Sequence, residues 1–214
     1  MDMVLEADSI YLSAQGRDIL GGAYLRCDQG TTVGLLGRNG SGKSTLLQIV
    51  FGTLRADSSF VRIGGRVLTG RAYTSGLIRM MSQTACVPKP LRVATLLRME
   101  GLTNEATTDP LIQQMKSLRV GQLSGGQYKY LMVYILLHSV APFIILDEPF
   151  AALSPIMTER VAGLIRRAQS TKGIVLSDHH YAMVSQLAQR LIYIDGGRCH
   201  DVDDIAELRG TYYR

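Results

Sequence analysis

Tryptophan is absent from this 214-residue chain and aromatic residues make up only 7% of it, so a core has to be built mainly from aliphatic side chains. Cysteine is also scarce. Cys27, Cys86 and Cys199 stand far apart with no C-x-x-C spacing; this excludes a disulfide framework and suits a reducing compartment. No apolar run reaches the roughly 20 residues that cross a bilayer. The stretch closest to one, 130–146, is interrupted by Pro142 and reads as a buried helix followed by a strand. The opening MDMVLEADS is acidic and lacks the basic-then-apolar order of a secretory signal, so export is not expected. Blocks of like charge are missing as well. The formal net charge is +5, yet Arg166-Arg167 is the sole adjacent basic pair, so the charge reads as a solvated surface that by itself chooses no partner; no nucleic-acid partner is expected.

Glycine, by contrast, is concentrated where chemistry needs it. GRNGSGKS at 37–44 fits the pattern G-x-x-x-x-G-K-[ST], in which successive backbone N–H groups converge on phosphate oxygens. Gly37, Arg38, Asn39, Gly40, Ser41 and Gly42 form the turn. Lys43 would place its ammonium on the outer phosphates, Ser44 would offer its hydroxyl to a magnesium ion, and Thr45 would add a phosphate contact. The apolar run Thr32 to Leu36 before it reads as a buried strand, and Ser44 to Phe51 after it as a helix whose positive end faces the anion. A glycine-rich turn that merely joins strand to helix is the plainer reading, and the full motif in this context outweighs it.

Downstream, Phe143 to Leu146 is an uninterrupted apolar run ending in two carboxylates, Asp147 and Glu148. A buried parallel strand would deliver Asp147 to a metal at the sheet's carboxyl edge, with Glu148 turned elsewhere to polarise a water. A second apolar run, Gly173 to Leu176, leads into Ser177-Asp178-His179-His180. LSGGQ at 123–127 opens an apolar helix, and taken alone it is a polar turn with Ser124 as N-cap.

Phosphate loop, Gln83, LSGGQ, apolar strand with Asp-Glu, and a following His occur in that order across nearly the whole chain, which thereby resembles the ATP-binding cassette (ABC) ATPases. The resemblance implies an α/β fold of the P-loop NTPase class, with a RecA-like parallel-sheet core, an antiparallel β lobe and a short helical subdomain at 84–122, all in a single domain over 1–214. It implies Mg2+-dependent ATP hydrolysis with Glu148 as general base, Gln83 on the metal and the attacking water, Asp147 and Ser44 on the metal, and His179 on the terminal phosphate. His180 is then a helix-start residue. Ser124, Gly125, Gly126 and Gln127 would close over ATP held by a second cassette, in a head-to-tail dimer taken to be a homodimer. The implied role is the ATPase subunit of a membrane transporter, on the cytoplasmic face, with the permease on a separate chain. The alternative is a soluble ABC ATPase acting on the ribosome or DNA, although neither long coiled-coil insertions nor a second fused cassette is present.

Three departures from the family pattern stand out. Ala14 occupies the position of the ring that stacks on adenine, and Tyr11 is the nearest substitute, with a plain strand residue as its simpler reading. Ser154 replaces an Asp that is common there. Tyr128, Lys129 and Tyr130 follow LSGGQ where basic and amide side chains are more usual. Elsewhere, short strands are expected at Val4 to Leu12 and Tyr24 to Cys27 and around Gly64-Gly65. Ile156, Val161, Leu164 and Ile165 mark the apolar face of a helix over 155–167. Cys199-His200-Asp201 is expected in an exposed turn, and 203–214 as a short helix.

Overall fold

The computed structural model describes residues 3–82, 87–102 and 108–202. Gln83 and the expected tail helix lie outside them. Two sheets organise the described residues. The first is antiparallel, in the order β2-β1-β4-β5, built from β1 (Val4–Ala14), β2 (Arg17–Asp28), β4 (Ser58–Ile63) and β5 (Arg66–Val67). Where two short strands were expected, β1 and β2 form one long hairpin whose pairing register shifts three times. The second sheet runs β10-β9-β3-β8-β7-β6, with β3 (Thr32–Leu36), β6 (Ile78–Met81), β7 (Phe143–Asp147), β8 (Gly173–Ser177), β9 (Arg190–Asp195) and β10 (Arg198–Val202). Its strands are parallel except for β10, which pairs antiparallel with β9 at the edge.

The three central strands β3, β7 and β8 are buried along their whole length, which is why their sequences are continuous apolar runs rather than alternating ones. Alternation reappears in which side of the sheet each residue serves. Ile144, Leu146, Ile174, Leu176 and Tyr193 join one core cluster; Phe143, Ile145, Val175, Ile192 and Ile194 join the other. The second cluster lies under helix α1 (Lys43–Phe51) and the antiparallel lobe, through Leu46, Leu47 and Ile10. The first is covered by α2 (Val93–Met99), α3 (Pro110–Met115), α4 (Gly125–Leu137), α5 (Pro155–Ala168) and α6 (Tyr181–Leu187).

Helix α4 is apolar almost all round, burying Tyr130, Leu131 and Val133 through Leu137, as a helix enclosed by protein must. Helix α5 is amphipathic. Ser154 caps it by accepting the Met157 N–H at 3.4 Å, and Pro155 opens it. Val161, Leu164 and Ile165 are buried as expected, but Ile156 is 70% exposed, because it lies on the face of α5 opposite the buried stripe formed by Thr158, Val161, Ala162, Leu164 and Ile165. Gly34 on β3 marks a close helix-to-sheet approach: a Cβ there would lie 2.6 Å from Val184 Cγ1 and 2.8 Å from Leu191 Cδ2. Only a bare backbone lets α6 seat at that depth.

Cys199, His200 and Asp201 lie within strand β10, not in a turn; the turn is Gly196-Gly197 before them. Asp201 takes two hydrogen bonds from the Arg190 guanidinium, at 2.7 and 2.9 Å, and this pairing holds the carboxyl below its usual range. Among the described residues no group of His, Cys, Asp and Glu is arranged to hold a metal, and no helix is long and apolar enough to cross a membrane.

Candidate active site

The loop between β3 and α1 folds into a tight cradle. At Gly37 a Cβ would come within 2.6 Å of both Ser41 Oγ and Ile194 Cγ2, so a side chain there would fill the space the turn encloses. Ser41 Oγ is buried and has no hydrogen-bond partner. A buried hydroxyl is rarely left unmatched, and phosphate oxygens are the acceptors this loop is shaped to bring to it. Lys43 is only 6% exposed and folds back over the turn, donating to the carbonyls of Gly37 at 2.7 Å and Arg38 at 3.0 Å. Burial pushes its pKa down, while the fields of Glu148 and Asp147 push it up. Arg38, Asn39 and Gly40 form the exposed rim; Ser44 and Thr45 open α1.

Asp147 ends β7 and keeps the strand's alternation. It shares parity with Phe143 and Ile145, whose side is covered by α1, and this brings it to Ser44. The carboxyl is 2% exposed. Burial raises its pKa, opposed by hydrogen bonds from Ser44 and Ser177, the latter at 3.0 Å. Hydroxyl and carboxylate oxygens together form the donor set a hard divalent cation takes, and a cation would offset the cost of burying Asp147 as an anion.

Glu148 leaves the strand in the left-handed region at φ 55, a conformation that costs a non-glycine residue about 1–3 kcal/mol and needs support from its surroundings. Its N–H donates to Ser177 O at 2.7 Å, its carbonyl accepts from Lys129 Nζ at 3.0 Å, and its Oε1 meets His179 Nε2 at 3.0 Å. His179 and His180 therefore separate cleanly. His179 is on the glutamate, whereas His180 occupies the cap position of α6 with its N–H bonded to Asp178 Oδ1 at 2.9 Å. Asp178, 1% exposed, also accepts the Phe150 N–H at 2.8 Å, so it shapes the backbone after Glu148.

Ser124 caps α4 reciprocally with Gln127: the Gln127 N–H donates to Ser124 Oγ at 3.2 Å, and Ser124 N–H donates to Gln127 Oε1 at 2.9 Å. Ser124 and Gly125 are exposed, so this helix start is open to solvent. Gly125 also lines a cavity of roughly 400 Å³ with Met81, Ser82, Tyr128, Lys129, Met132, Asp147 and Glu148. Tyr11 stands on β1, 51% exposed and paired with Gly21 and Ser58; its hydroxyl would lie 2.9 Å from a Cβ on Gly22. The structure thus joins the phosphate loop, Asp147, Glu148 and His179 at one sheet edge, and it keeps Tyr11 as a residue of the hairpin. Three groups at the site carry no motif of their own. Ser177 was visible as a polar residue ending an apolar run and Asp178 as the neighbour of two histidines, but nothing in the sequence marked where Lys129 would reach.

Comparison with known proteins identifies the family and the fold. The profile of the ABC transporter family matches residues 20–151. The taurine import ATP-binding protein TauB of Pseudomonas aeruginosa is 34% identical over 209 residues, covering 90% of this chain and 79% of that protein. Among solved structures, an ATP-binding subunit of an ABC transporter superposes with a TM-score of 0.79 at 23% identity, covering 97% of this chain and 95% of the other. A dimeric ATP-binding cassette in a post-hydrolysis state, bound to ADP and Pi, has a TM-score of 0.77 at 18% identity, covering 94% and 99%.

Proposed function

We propose, from the premise that this chain belongs to the ABC transporter family, that it binds and hydrolyses ATP to energise a membrane transporter whose permease is a separate chain. The observation that carries this reading is the convergence of Lys43, Asp147 and the Glu148–His179 pair at one edge of the sheet. The loop from Gly37 to Thr45 holds the phosphates, with Lys43 exchanging its backbone carbonyls for phosphate oxygens. Glu148 accepts the proton of the attacking water, and His179, which shares the glutamate in this structure, turns its imidazole to the terminal phosphate. Gln83 completes the water's surroundings. Ser44 and Asp147 hold Mg2+, which draws charge from the phosphate oxygens when bound.

Ser124 to Gln127 serve a second copy. Their outward-facing helix start is a site for an anion that the same subunit does not present, and the head-to-tail pairing of two identical cassettes supplies it. The assembly works at the cytoplasmic face of the membrane. The permease engages the cassette at the subdomain spanning 84–122, after Gln83, where the Val87 N–H donates to the hydroxyl of Tyr128 at 3.3 Å. A soluble ATPase working on the ribosome or DNA is the less favoured reading, since TauB is named as an import protein.

Gentle detergent purification from native cells under ATP and magnesium, followed by mass spectrometry, tests the assignment: a multi-spanning membrane protein should remain bound. Ribosomal or DNA-bound partners without one would overturn it. The metal assignment has its own check. Asp147→Asn should weaken nucleotide binding roughly tenfold or more in the presence of Mg2+, the scale of a lost charged interaction, and leave binding in EDTA nearly unchanged. Equal weakening in both conditions would mean that Asp147 holds the loop rather than the ion.

A further inference from the structure

We propose that Lys129 is a positioning residue for hydrolysis: its ammonium ties the helix that starts at LSGGQ to the turn carrying Glu148, so that a change in one is felt by the other. The inference rests on the reading of Glu148 as the base and extends it. Lys129 lies in the second turn of α4, five positions after the capping Ser124, and donates to two carbonyls on a different element: Glu148 O at 3.0 Å and Ala151 O at 2.6 Å. Both acceptors belong to the strap 148–154 that joins β7 to α5. From the β8 side the strap is held by Ser177 O on the Glu148 N–H and by Asp178 Oδ2 on the Phe150 N–H. Lys129 supplies the hold from the α4 side.

The strap is a segment in which such holds matter. Glu148 at φ 55 and Ala152 at φ 59 both occupy backbone regions that non-glycine residues leave when nothing opposes them. Fixing the Glu148 carbonyl fixes the orientation of that peptide and so the direction in which its side chain leaves the backbone. The same residue thereby has its carbonyl on Lys129 and its carboxylate on His179. Lys129 is half-buried, so water competes weakly for its ammonium, and a charged donor on carbonyls is the stronger class of hydrogen bond. A neutral side chain of the same length would pack equally well and leave the strap free to relax.

In a head-to-tail dimer the start of α4 faces the partner's nucleotide while Glu148 serves its own. Lys129 then gives each nucleotide site a mechanical route to the other, about one and a half helical turns long from Ser124. In the strap, Ser154 is occupied in capping α5 and Leu153 packs close to Gly126 on α4, so the polar hold that the strap receives from α4 is the lysine.

The test uses the full chain purified in its native assembly as wild type, Lys129→Met, Lys129→Arg and Glu148→Gln, measuring ATPase rate against ATP concentration, binding of a fluorescent ATP analogue, and thermal unfolding. Misplacing a reacting group by an ångström costs on the order of 100-fold, so Lys129→Met should lower kcat by about 10- to 100-fold. KM and analogue affinity should stay within about twofold and the Hill coefficient should fall below the wild-type value, while Lys129→Arg, which keeps a charged donor, should recover most of the rate. A wild-type kcat in Lys129→Met would overturn the proposal. So would parallel losses of kcat, affinity and thermal stability that arginine does not rescue, since these mark a purely structural lysine. An undiminished rate in Glu148→Gln would instead sink the underlying assignment of the base, and the proposal with it.

Discussion

Glu148→Gln is expected to lower ATP hydrolysis by about 100- to 10,000-fold, the range that a positioned general base contributes, while leaving ATP binding intact. The amide keeps the volume of the carboxylate and can still bond His179 across the present 3.0 Å separation. It cannot take a proton. The surroundings of the residue are otherwise backbone contacts, Ser177 O on its N–H and Lys129 on its carbonyl, and these do not depend on the side chain. The loss should therefore fall on kcat alone. ATP that is bound and not hydrolysed should also prolong any nucleotide-bound dimer, visible as a larger species in size-exclusion chromatography with ATP. Hydrolysis at the original rate would remove Glu148 from the mechanism and leave His179 or Asp178 as the group to examine.

The second large effect is on binding. Lys43→Met should raise the ATP Kd by about 10- to 100-fold, because a buried ammonium facing phosphate is a charged hydrogen-bond donor without substitute in the loop. Methionine has a similar length, and the two hydrogen bonds it gives up, to the Gly37 and Arg38 carbonyls, are offset by no longer burying an ammonium, so the protein without nucleotide should unfold at nearly the same temperature. Ligand linkage makes this measurable. At a concentration 100 times the wild-type Kd, ATP stabilises the wild type by about 2.7 kcal/mol, whereas a variant binding 100-fold more weakly gains about 0.4 kcal/mol. A thermal-shift series with ATP would thus separate the two proteins. An unchanged shift in Lys43→Met would mean that Lys43 spends its charge on the Gly37 and Arg38 carbonyls even with nucleotide present.

Much of the core was legible because it is local. Thr32 to Leu36, Phe143 to Leu146 and Gly173 to Leu176 announce buried strands by unbroken aliphatic runs, and Ser124 and Ser154 are side chains that cap the helices beginning after them. What the sequence concealed depends on partners distant along the chain. Strand β10 is polar at Arg198, His200 and Asp201 and reads as a turn, yet its ladder with β9 and the Arg190–Asp201 pair hold it extended. Ile156 is apolar, but at about 100° per residue it falls on the face of α5 opposite Ile165, so hydrophobicity alone misplaced it. Lys129 shows the same limit at the site. Its identity is plain in the sequence, whereas the carbonyls it grips become neighbours only after α4 packs against the end of β7.

Gly34 touches none of the reacting groups, and its contribution is an omission. Because nothing projects from that position, α6 rests against β3, and the residues leading into α6 are His179 and His180. A single methyl group at 34 would act as a wedge under the far end of a lever whose near end carries the imidazole. A substitution at such a place would behave in enzyme assays like damage to the histidine, yet no map of ligand contacts would single the position out. The catalytic reach of this cassette is in part a matter of clearance, held in reserve at the middle of a strand.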